Sequence, residues 1–452
     1  MNKLFGTDGI RGRANMFPMT VEIAQALGIS VSKILANNKN VRHKVVIGKD
    51  TRASGNMFEA ALASGICAGG FDVILLGILP TPAVAYLTQF LGADAGFMIS
   101  ASHNPPQDNG IKIFSSDGYK LSDQLESEIE SYVLKKSWEN DSFQNYGNIV
   151  HYSEAQQQYI HYVKRSITDS YKKKLSIVVD CANGAASTVA QPIFECLSDS
   201  VTMIHEFAEG KLINKNCGAM DTRSLQETVC AQKADIGIAF DGDADRLILC
   251  DHQGNILNGD HVLAICGRFL LENNKLPQKT IVATQYSNMG LDDSIRQGGG
   301  NVIRVLNGDR YVIEKMREDN LVLGGEASGH LIFNNYATTG DGLIAALQIL
   351  NIIHHTGKQL AQLKQCISLY PQVIQNVAVK EKKDFQLMPS VIKMINHVND
   401  SLGKEGRTLI RYSGTENKLR IMVEGKDIQQ ITKYADQIAK KVRTHIGIEK
   451  ND

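Results

Sequence analysis

The loop at residues 241–246 carries three carboxylates at alternate positions. They are Asp241, Asp243 and Asp245. An apolar run at residues 236–240 precedes the loop, so we expect it to leave a sheet at the carboxyl end of a strand, where open α/β sheets bind ligands. Three close carboxylates repel one another unless a cation neutralises them, and hard oxygen ligands favour Mg²⁺ or Ca²⁺. The loop is therefore a candidate metal site.

An EF-hand calcium loop is the rival interpretation of these alternating carboxylates. It is excluded because the sixth position is Arg246 rather than glycine and the twelfth is His252 rather than glutamate. A solvated acidic turn also fits the spacing. The apolar run in front of the loop favours the metal site over the turn.

Ser102 lies in a second polar loop, Ser-Ala-Ser-His-Asn-Pro at residues 100–105, directly after an apolar run. Its hydroxyl is a candidate nucleophile or phosphate carrier. In an extended chain neighbouring side chains point opposite ways, so we do not expect a Ser–His dyad with His103. A serine with a purely local turn role is the alternative.

The segment at residues 411–416, Arg-Tyr-Ser-Gly-Thr-Glu, has the composition of an anion-binding loop. A glycine permits backbone N–H groups to form a nest, hydroxyls donate, and arginines give bidentate contacts. Residues 371–452 hold 15 basic against 10 acidic side chains, a local excess of +5 in a neutral chain. The candidate phosphate ligands are Arg411, Ser413, Gly414, Thr415 and Arg420. A polar hairpin turn explains the segment equally well without context.

Two glycine-rich loops carry further polar side chains. Residues 324–330 supply the carboxylate of Glu326, the hydroxyl of Ser328 and the imidazole of His330, a set suited to sugar hydroxyls. Residues 6–12 place Arg11 among glycines near the amino terminus. Alone, either loop is a weak signal.

The elements that position these loops alternate between short β-branched runs and longer amphipathic runs up to about residue 368. This alternation predicts βαβ units and largely parallel sheets covered by helices. The remainder of the chain has an α+β composition. We predict three α/β domains at residues 1–150, 151–255 and 256–367, and a carboxyl-terminal α+β domain at residues 368–452.

The composition excludes several classes of partner. The 48 basic side chains balance 48 acidic ones, so no general field favours nucleic acid or an anionic membrane. The amino terminus lacks an apolar signal region, and glycines and prolines interrupt the most apolar stretch, residues 65–96. The eight cysteines are scattered singly, a pattern typical of buried thiols rather than disulfides or zinc. We expect a cytoplasmic protein with no membrane or nucleic-acid partner.

The four loops at residues 100–105, 241–246, 325–330 and 411–416 occur in the order and spacing of the α-D-phosphohexomutase superfamily, and the resemblance runs essentially end to end. The opening Phe-Gly-Thr-Asp-Gly-Ile-Arg-Gly at residues 5–12 resembles phosphoglucosamine mutases rather than phosphomannomutases. The segments at residues 308–312, 339–342 and 370–373 favour the same branch.

This resemblance implies four domains around a central cleft. It implies that Ser102 is carried as phosphoserine and that one Mg²⁺ is held by the three aspartates and an oxygen of that phosphate. The implied catalytic residues are Ser102, Lys112, Arg11 and His103, with Lys112 as the proton-transfer or charge-stabilising group. The implied substrate ligands are Arg246, Glu326, Ser328, His330, Arg411, Ser413, Gly414, Thr415 and Arg420.

The implied reaction converts glucosamine 6-phosphate to glucosamine 1-phosphate through a bound 1,6-bisphosphate, feeding UDP-N-acetylglucosamine synthesis, in a monomer or homodimer. A phosphomannomutase/phosphoglucomutase is the alternative within the superfamily. A metal-dependent phosphatase and a non-catalytic phosphosugar-binding protein are alternatives from other classes.

The chain departs from the pattern of the branch in three places. Ala327 stands where glutamine is usual in this branch, and Asn417 replaces the proline of the phosphate loop. Leu306-Asn307 precede the segment at residues 308–312, where a threonine–lysine or lysine–valine type of pair is commoner. The Ala327 difference concerns the choice of sugar rather than the phosphoryl chemistry.

Overall fold

The computed structural model describes residues 3–6, 8–36, 42–140, 145–167, 175–412 and 417–447. These residues build four sheets, each with its own helices. The predicted loop residues Thr7, Ser413, Gly414, Thr415 and Glu416 lie outside the described residues.

The first α/β unit contains six strands and four helices. The strands are β1 (Ile10–Arg13), β2 (Lys44–Lys49), β3 (Asp72–Ile78), β4 (Ala95–Ile99), β5 (Asp108–Ser115) and β6 (Ile149–His151). The helices are α1 (Val21–Leu35), α2 (Gly55–Ala68), α3 (Thr81–Phe90) and α4 (Asp123–Leu134). The strand order is β1-β5-β4-β2-β3-β6, and β5 runs antiparallel to both of its neighbours.

Helices cover both faces of this sheet, as the alternation along β2 shows. Val45 and Ile47 pack into a core that includes Leu62 of α2, whereas Val46 packs on the opposite face with Leu87 of α3. Successive strand residues point to opposite faces, and both faces are apolar here because both are buried.

The second α/β unit follows the same plan. Its strands are β7 (Leu175–Asp180), β8 (Ser198–Ile204), β9 (Ile236–Phe240), β10 (Leu247–Asp251) and β11 (Ile256–Leu257). Its helices are α5 (Ala155–Lys164), α6 (Ala190–Phe194) and α7 (Arg223–Gln232). The strand order is β11-β10-β9-β7-β8, with β10 antiparallel to β9 and β11.

The third α/β unit has a four-stranded sheet. Its helices are α8 (Gly259–Glu272), α9 (Met289–Gln297), α10 (Asp309–Glu318), α11 (Gly342–Thr356) and α12 (Leu360–Leu363). Its strands are β12 (Thr280–Thr284), β13 (Asn301–Val305), β14 (Leu323–Gly325) and β15 (Leu331–Phe333). The strand order is β13-β12-β14-β15, and only the β14–β15 pair is antiparallel.

The carboxyl-terminal unit is α+β. It contains β16 (Gln372–Ala378), α13 (Pro389–Leu402), β17 (Gly406–Tyr412), β18 (Lys418–Gly425) and α14 (Ile428–Ile446). Its antiparallel sheet has the order β16-β18-β17. This unit has its own apolar core, whereas one continuous apolar cluster joins the three α/β units.

The predicted α/β plus α+β architecture is confirmed, and among the described strands of the three α/β sheets seven pairs run parallel and five antiparallel, so the sheets are mixed with a parallel majority. Each α/β sheet contains an antiparallel hairpin, formed by β4–β5, β9–β10 and β14–β15. The connections of these hairpins contain the serine loop (residues 100–105), the acidic loop (residues 241–246) and the loop with Glu326 (residues 326–330). The three α/β units therefore present their polar loops at equivalent positions. The domain bounds at residues 150, 255 and 367 stay a prediction.

None of the helices in the described part of the chain combines the length and the apolar character of a membrane span.

Candidate active site

The serine loop and the acidic loop meet at Ser102. The hydroxyl of this buried serine donates to Asp241 Oδ2 at 2.6 Å. The φ of Ser102 is +52°, in the left-handed region that side chains other than glycine seldom adopt. Strain of this kind is stored at functional sites when the surroundings enforce it.

His103 lies beside Ser102, and the expectation that it points away is wrong. That expectation assumed an extended chain, whereas the left-handed φ of Ser102 brings His103 Nδ1 to 3.4 Å from Ser102 Oγ. Burial, together with the charges of Arg246 and Arg11, lowers the pKa of His103 to about 4. The imidazole is therefore neutral at neutral pH.

Arg52 holds the serine loop in place by its backbone. This buried guanidinium donates to four carbonyl oxygens of residues 102–108 at 2.6–2.9 Å. It also pairs with Asp50, whose Oδ2 accepts the Ser100 hydroxyl at 2.6 Å. Asn214 of the second unit donates from Nδ2 to the backbone carbonyl oxygen of Ser102 at 2.8 Å. Because Arg52 and Asn214 donate to backbone carbonyl oxygens, these contacts do not depend on the Ser102 side chain.

The three predicted metal ligands converge. Asp241, Asp243 and Asp245 are buried, and one oxygen from each lies within 4.8 Å of the others. Burial and repulsion from the other two carboxylates raise the pKa of Asp241 to about 8. Within the described residues, Asp243 Oδ1 and Asp245 Oδ1 are buried without a hydrogen-bond partner. Orphaned carboxylate oxygens in a crowded trio fit a hard divalent cation such as Mg²⁺.

Lys112 supplies positive charge to this trio. Its buried Nζ donates to Asp243 Oδ2 at 2.8 Å and to Asp245 Oδ2 at 2.9 Å. Asp8 Oδ2 lies 3.4 Å from the same nitrogen. Burial opposes the ammonium form, but the attraction of Asp243, Asp245 and Asp8 raises the pKa of Lys112 well above its ordinary value. This lysine is a cation here, which favours the charge-stabilising role.

Lys120 links the first and third units beside the trio. Its Nζ pairs with Asp8 and with Asp309, at the start of α10. Asp309 in turn lies 3.5 Å from His330 Nε2, and the Nδ1 of that ring lies 3.6 Å from Asp245. Lys112 contacts both Asp245 and Asp8, so the series of contacts returns to Asp8. We call this set of side chains the charge circuit; its members are Asp8, Lys112, Lys120, Asp245, Asp309 and His330. Alternating charges from three units therefore surround the acidic loop.

Arg11 and Arg246 border the same space. Arg11 pairs with Asp8, and Arg246 Nε lies 3.9 Å from Asp241 Oδ2. Across the part of the chain that is described, the Nε atoms of both arginines lack hydrogen-bond partners. Such donors are suited to phosphate oxygens.

The loop between β14 and β15 places two of its polar groups together. Ser328 Oγ donates to Glu326 Oε2 at 3.0 Å, and the Gly308 N–H donates to Glu326 Oε1 at 3.2 Å. His330 is buried and accepts the Gly340 N–H at 3.2 Å on Nε2. His330 thus belongs to the charge circuit, whereas Glu326 and Ser328 form a separate polar pair.

Arg411 and Arg420 face each other across the β17–β18 pair. The Arg411 guanidinium lies 4.8 Å from the ring centroid of Tyr286, in the third unit. Its Nε is buried and, among described groups, has no hydrogen-bond partner. Arg420 is exposed. The other three predicted phosphate ligands lie outside the described residues, so their roles stay predictions.

Family models match the chain along most of its length. Four models of the phosphoglucomutase/phosphomannomutase family match, the α/β/α domains I, II and III at residues 2–140, 157–254 and 258–370 and the C-terminal domain at residues 375–441. A phosphoglucosamine mutase from Pelobacter propionicus is 47% identical over 450 residues, 99% of each chain. Another from Geobacter metallireducens is 47% identical over 452 residues, 99% of this chain and all of the relative. The chain belongs to the phosphoglucosamine mutase family of phosphohexomutases.

Solved structures share the phosphohexomutase fold. A phosphoglucomutase/phosphomannomutase family protein from Burkholderia thailandensis superposes with a TM-score of 0.80 at 22% identity, covering 98% of this chain and 99% of that one. An Aspergillus fumigatus N-acetylphosphoglucosamine mutase, solved with GlcNAc-6P and magnesium, has a TM-score of 0.67 at 18% identity. It covers 98% of this chain and 96% of its own.

Sequence reasoning missed several residues that build this phosphohexomutase site. They are Asp8, Asp50, Arg52, Thr81, Lys120, Asn214 and Asp309. The logic that a polar group at a strand end lies near a ligand could have found Asp50 and Arg52, which follow β2. Thr81, whose hydroxyl donates to Asp243 Oδ2 at 2.5 Å, gives no such signal because it begins a helix.

Proposed function

We propose that this enzyme interconverts glucosamine 6-phosphate and glucosamine 1-phosphate, with Ser102 as the carrier of the phosphoryl group. The observation that carries the proposal is the hydrogen bond from Ser102 Oγ to Asp241, inside a buried carboxylate trio. The substrate follows from the names of relatives 47% identical over the full length. A 1,6-bisphosphate of the same sugar is the proposed intermediate.

One Mg²⁺ ion would be held by an oxygen of the serine phosphate together with Asp241, Asp243 and Asp245. It would supply positive charge against the phosphoryl oxygens. The orphaned oxygens of Asp243 and Asp245 support this assignment. The protein's own contribution is to keep the trio buried and fixed.

In the first half-reaction the bond between Ser102 Oγ and phosphorus breaks while a bond from the sugar's 1-hydroxyl oxygen to phosphorus forms. The hydroxyl loses its proton and Oγ regains one. The phosphoserine and the phosphate already on the sugar each carry about −1.5 to −2 charge, so they repel each other. Arg11, Lys112 and Arg246 offset that repulsion and stabilise the charge that spreads over the transferring oxygens.

In the second half-reaction the bisphosphate turns over and its 6-phosphoryl group passes to Ser102. The proposal needs a second site that grips whichever phosphate is not reacting. Arg411 and Arg420 on the carboxyl-terminal sheet are its proposed cationic residues, together with Ser413, Gly414 and Thr415. Glu326 and Ser328 are the proposed ligands of the sugar hydroxyls. His330, on the same loop but 3.6 Å from Asp245, is proposed as a further substrate ligand.

A substrate panel tests the proposal. Glucosamine, glucose and mannose 6-phosphates are assayed separately with Mg²⁺ and the matching 1,6-bisphosphate, and both the 1-phosphate and inorganic phosphate are quantified. We expect the highest kcat/KM for glucosamine 6-phosphate and no stoichiometric release of phosphate.

Preference for glucose or mannose phosphate would overturn the substrate assignment and leave the carrier chemistry standing. Inorganic phosphate released at the rate of substrate loss would instead identify a phosphatase, since water would then capture the phosphoryl group.

A further inference from the structure

A second cluster of potential metal ligands lies in the second α/β unit, outside the site just described. Asp180 ends β7, His205 follows β8, and Cys217 lies in the long loop before α7. One ligand atom of each lies within 4.8 Å of the others. Asp180 and Cys217 are buried, whereas the His205 side chain is 28% exposed. The mechanism above uses none of the three.

We propose that Asp180, His205 and Cys217 bind a divalent transition-metal ion of the zinc class. Carboxylate oxygen, imidazole nitrogen and thiolate sulfur together suit this borderline-soft ion, whereas Mg²⁺ takes oxygen ligands alone. His205 Nδ1 already lies 3.1 Å from Asp180 Oδ2, so two of the donors are brought together without the ion. The ligands come from three separate loops, which explains why no zinc spacing is visible in the sequence.

The side chain of Asn183 gives independent support. It is 4% exposed, and its Nδ2 lies 3.7 Å from Cys217 Sγ. Its Oδ1 is buried and, within the described chain, has no hydrogen-bond partner. The amide nitrogen of Asn183 faces the thiol, and the unpartnered amide oxygen of the same buried side chain is available as an acceptor for a water bound at the cluster.

The backbone orients the carboxylate of the cluster. Asp180 Oδ1 accepts the Ala182 N–H at 2.9 Å, and Oδ2 accepts the Gly218 N–H at 2.9 Å. Outer-shell bonds of this kind fix the orientation of a metal ligand. The exposed edge of His205 gives the ion a path from solvent.

Coordination replaces protons on the ligands. The Cys217 thiol is buried in the free protein. When the metal–sulfur bond forms, the S–H bond breaks and its proton passes to solvent, as it does in other thiolate sites. His205 coordinates as the neutral ring, and no oxidant or reductant takes part.

The position of the cluster connects it to the serine loop. Asn214 lies three residues before Cys217. Its Nδ2 donates to the backbone carbonyl oxygens of Ser102 at 2.8 Å and of Asn104 at 3.1 Å. An ion that ties Cys217 to β7 and β8 therefore restricts the loop that supports Ser102. The site itself does not depend on the proposed reaction, because its ligands are separate from the carboxylate trio.

Titration with Co²⁺ tests the site on the full-length protein in excess Mg²⁺, under reducing conditions. A thiolate ligand gives a sulfur-to-cobalt charge-transfer band in the near ultraviolet, which the all-oxygen trio cannot produce. We expect the band to saturate at one equivalent of Co²⁺ and to disappear when Zn²⁺ displaces the probe. Zn²⁺ should also raise the melting temperature, since a ligand that binds only the folded state stabilises it.

Two variants and one control make the result specific. Cys217→Ser should abolish the band, and His205→Gln, at a partly exposed position, should weaken Co²⁺ binding at least about tenfold, the effect of losing even an outer-shell partner. Cys196→Ser removes an exposed lone thiol and should leave the band unchanged. No band in the wild-type protein, or a band that survives in Cys217→Ser, would overturn the proposal. Turnover on the sugar phosphates is a separate readout and decides neither outcome.

Discussion

Ser102 sits between a carboxylate at 2.6 Å and an imidazole nitrogen at 3.4 Å, on a backbone that other residues hold. At this scale the account assigns a covalent role to one hydroxyl and a charge-balancing role to its neighbours. Each assignment can be separated from folding, because the contacts that shape the loop reach the Ser102 carbonyl rather than its side chain.

Ser102→Ala should lower kcat by at least about 10³-fold, since loss of a nucleophile removes the covalent route entirely. The unfolding free energy should fall by only about 1 kcal/mol, the worth of one hydrogen bond. Steady-state kinetics and urea denaturation measure the two quantities. Ser100→Ala, in the same buried segment, keeps the carrier and should retain measurable turnover. Wild-type activity in Ser102→Ala would remove the carrier role.

Asp243→Asn should weaken Mg²⁺ binding by about 10-fold or more, because a carboxylate ligand becomes a neutral amide. Isothermal titration calorimetry with Mg²⁺ checks this prediction. Asp251→Asn is the control, since Asp251 is equally buried but pairs with Lys364 at the far end of β10. An equal loss in both variants would show a general effect on folding rather than a metal site.

At the scale of elements, the acidic loop lies close to the serine loop because the backbones of the two loops pack directly against each other. Gly242 lies where the acidic loop crosses the serine loop, and a Cβ there would lie 2.8 Å from the Ser102 oxygen and 2.9 Å from Asn214 Nδ2. The close approach of the two loops therefore requires glycine at this position.

Gly242→Ala should cost about 1–3 kcal/mol of unfolding free energy, the range for overpacking a buried position. It should also lower kcat, because the serine loop must move away. Gly55→Ala is the matched control, since the nearest atoms to a Cβ there lie at 3.5 Å and beyond. Urea midpoints and kcat of both variants decide the matter, and equal values in the two would contradict the packing argument.

The sequence predicted these loops because each follows an apolar run whose carboxyl end had to meet a sheet edge. It did not predict the antiparallel partners β5, β10 and β15, because strand direction depends on pairing between distant segments. The left-handed φ of Ser102 was also hidden, since Arg52 and Asn214 enforce it from elsewhere in the chain. Arginine is mostly an exposed residue, so the sequence alone does not indicate that Arg52 is buried and bound to backbone carbonyl oxygens.

At the scale of the whole molecule, three units share one core while the fourth has its own. Ion pairs also connect the units. Lys120 pairs with Asp8 of the first unit and with Asp309 of the third. Lys120 is 9% exposed, so its removal leaves two carboxylates facing each other in a poorly hydrated space.

Lys120→Met should lower the unfolding free energy by about 3 kcal/mol, the low end for breaking a buried ion pair, because Asp8 is 21% exposed. Lys315→Met is the control, since this lysine of α10 is 30% exposed and pairs with Glu318 and Asp319 near the surface. That change should cost much less stability than Lys120→Met, because exposed ion pairs contribute little. Thermal and urea denaturation give both values, and a Lys120→Met protein as stable as the wild type would show that the circuit does not join the units.

The most direct test of the central claim is the covalent state of Ser102 during turnover. Protein incubated with glucosamine 1,6-bisphosphate and Mg²⁺ is analysed by intact mass and peptide mapping, before and after addition of glucosamine 6-phosphate. We predict one phosphoryl group, located on Ser102, that passes to the added sugar phosphate within the time of a turnover. A fully active enzyme with no phosphate on Ser102, or with a phosphoserine that the substrate cannot discharge, would contradict the account.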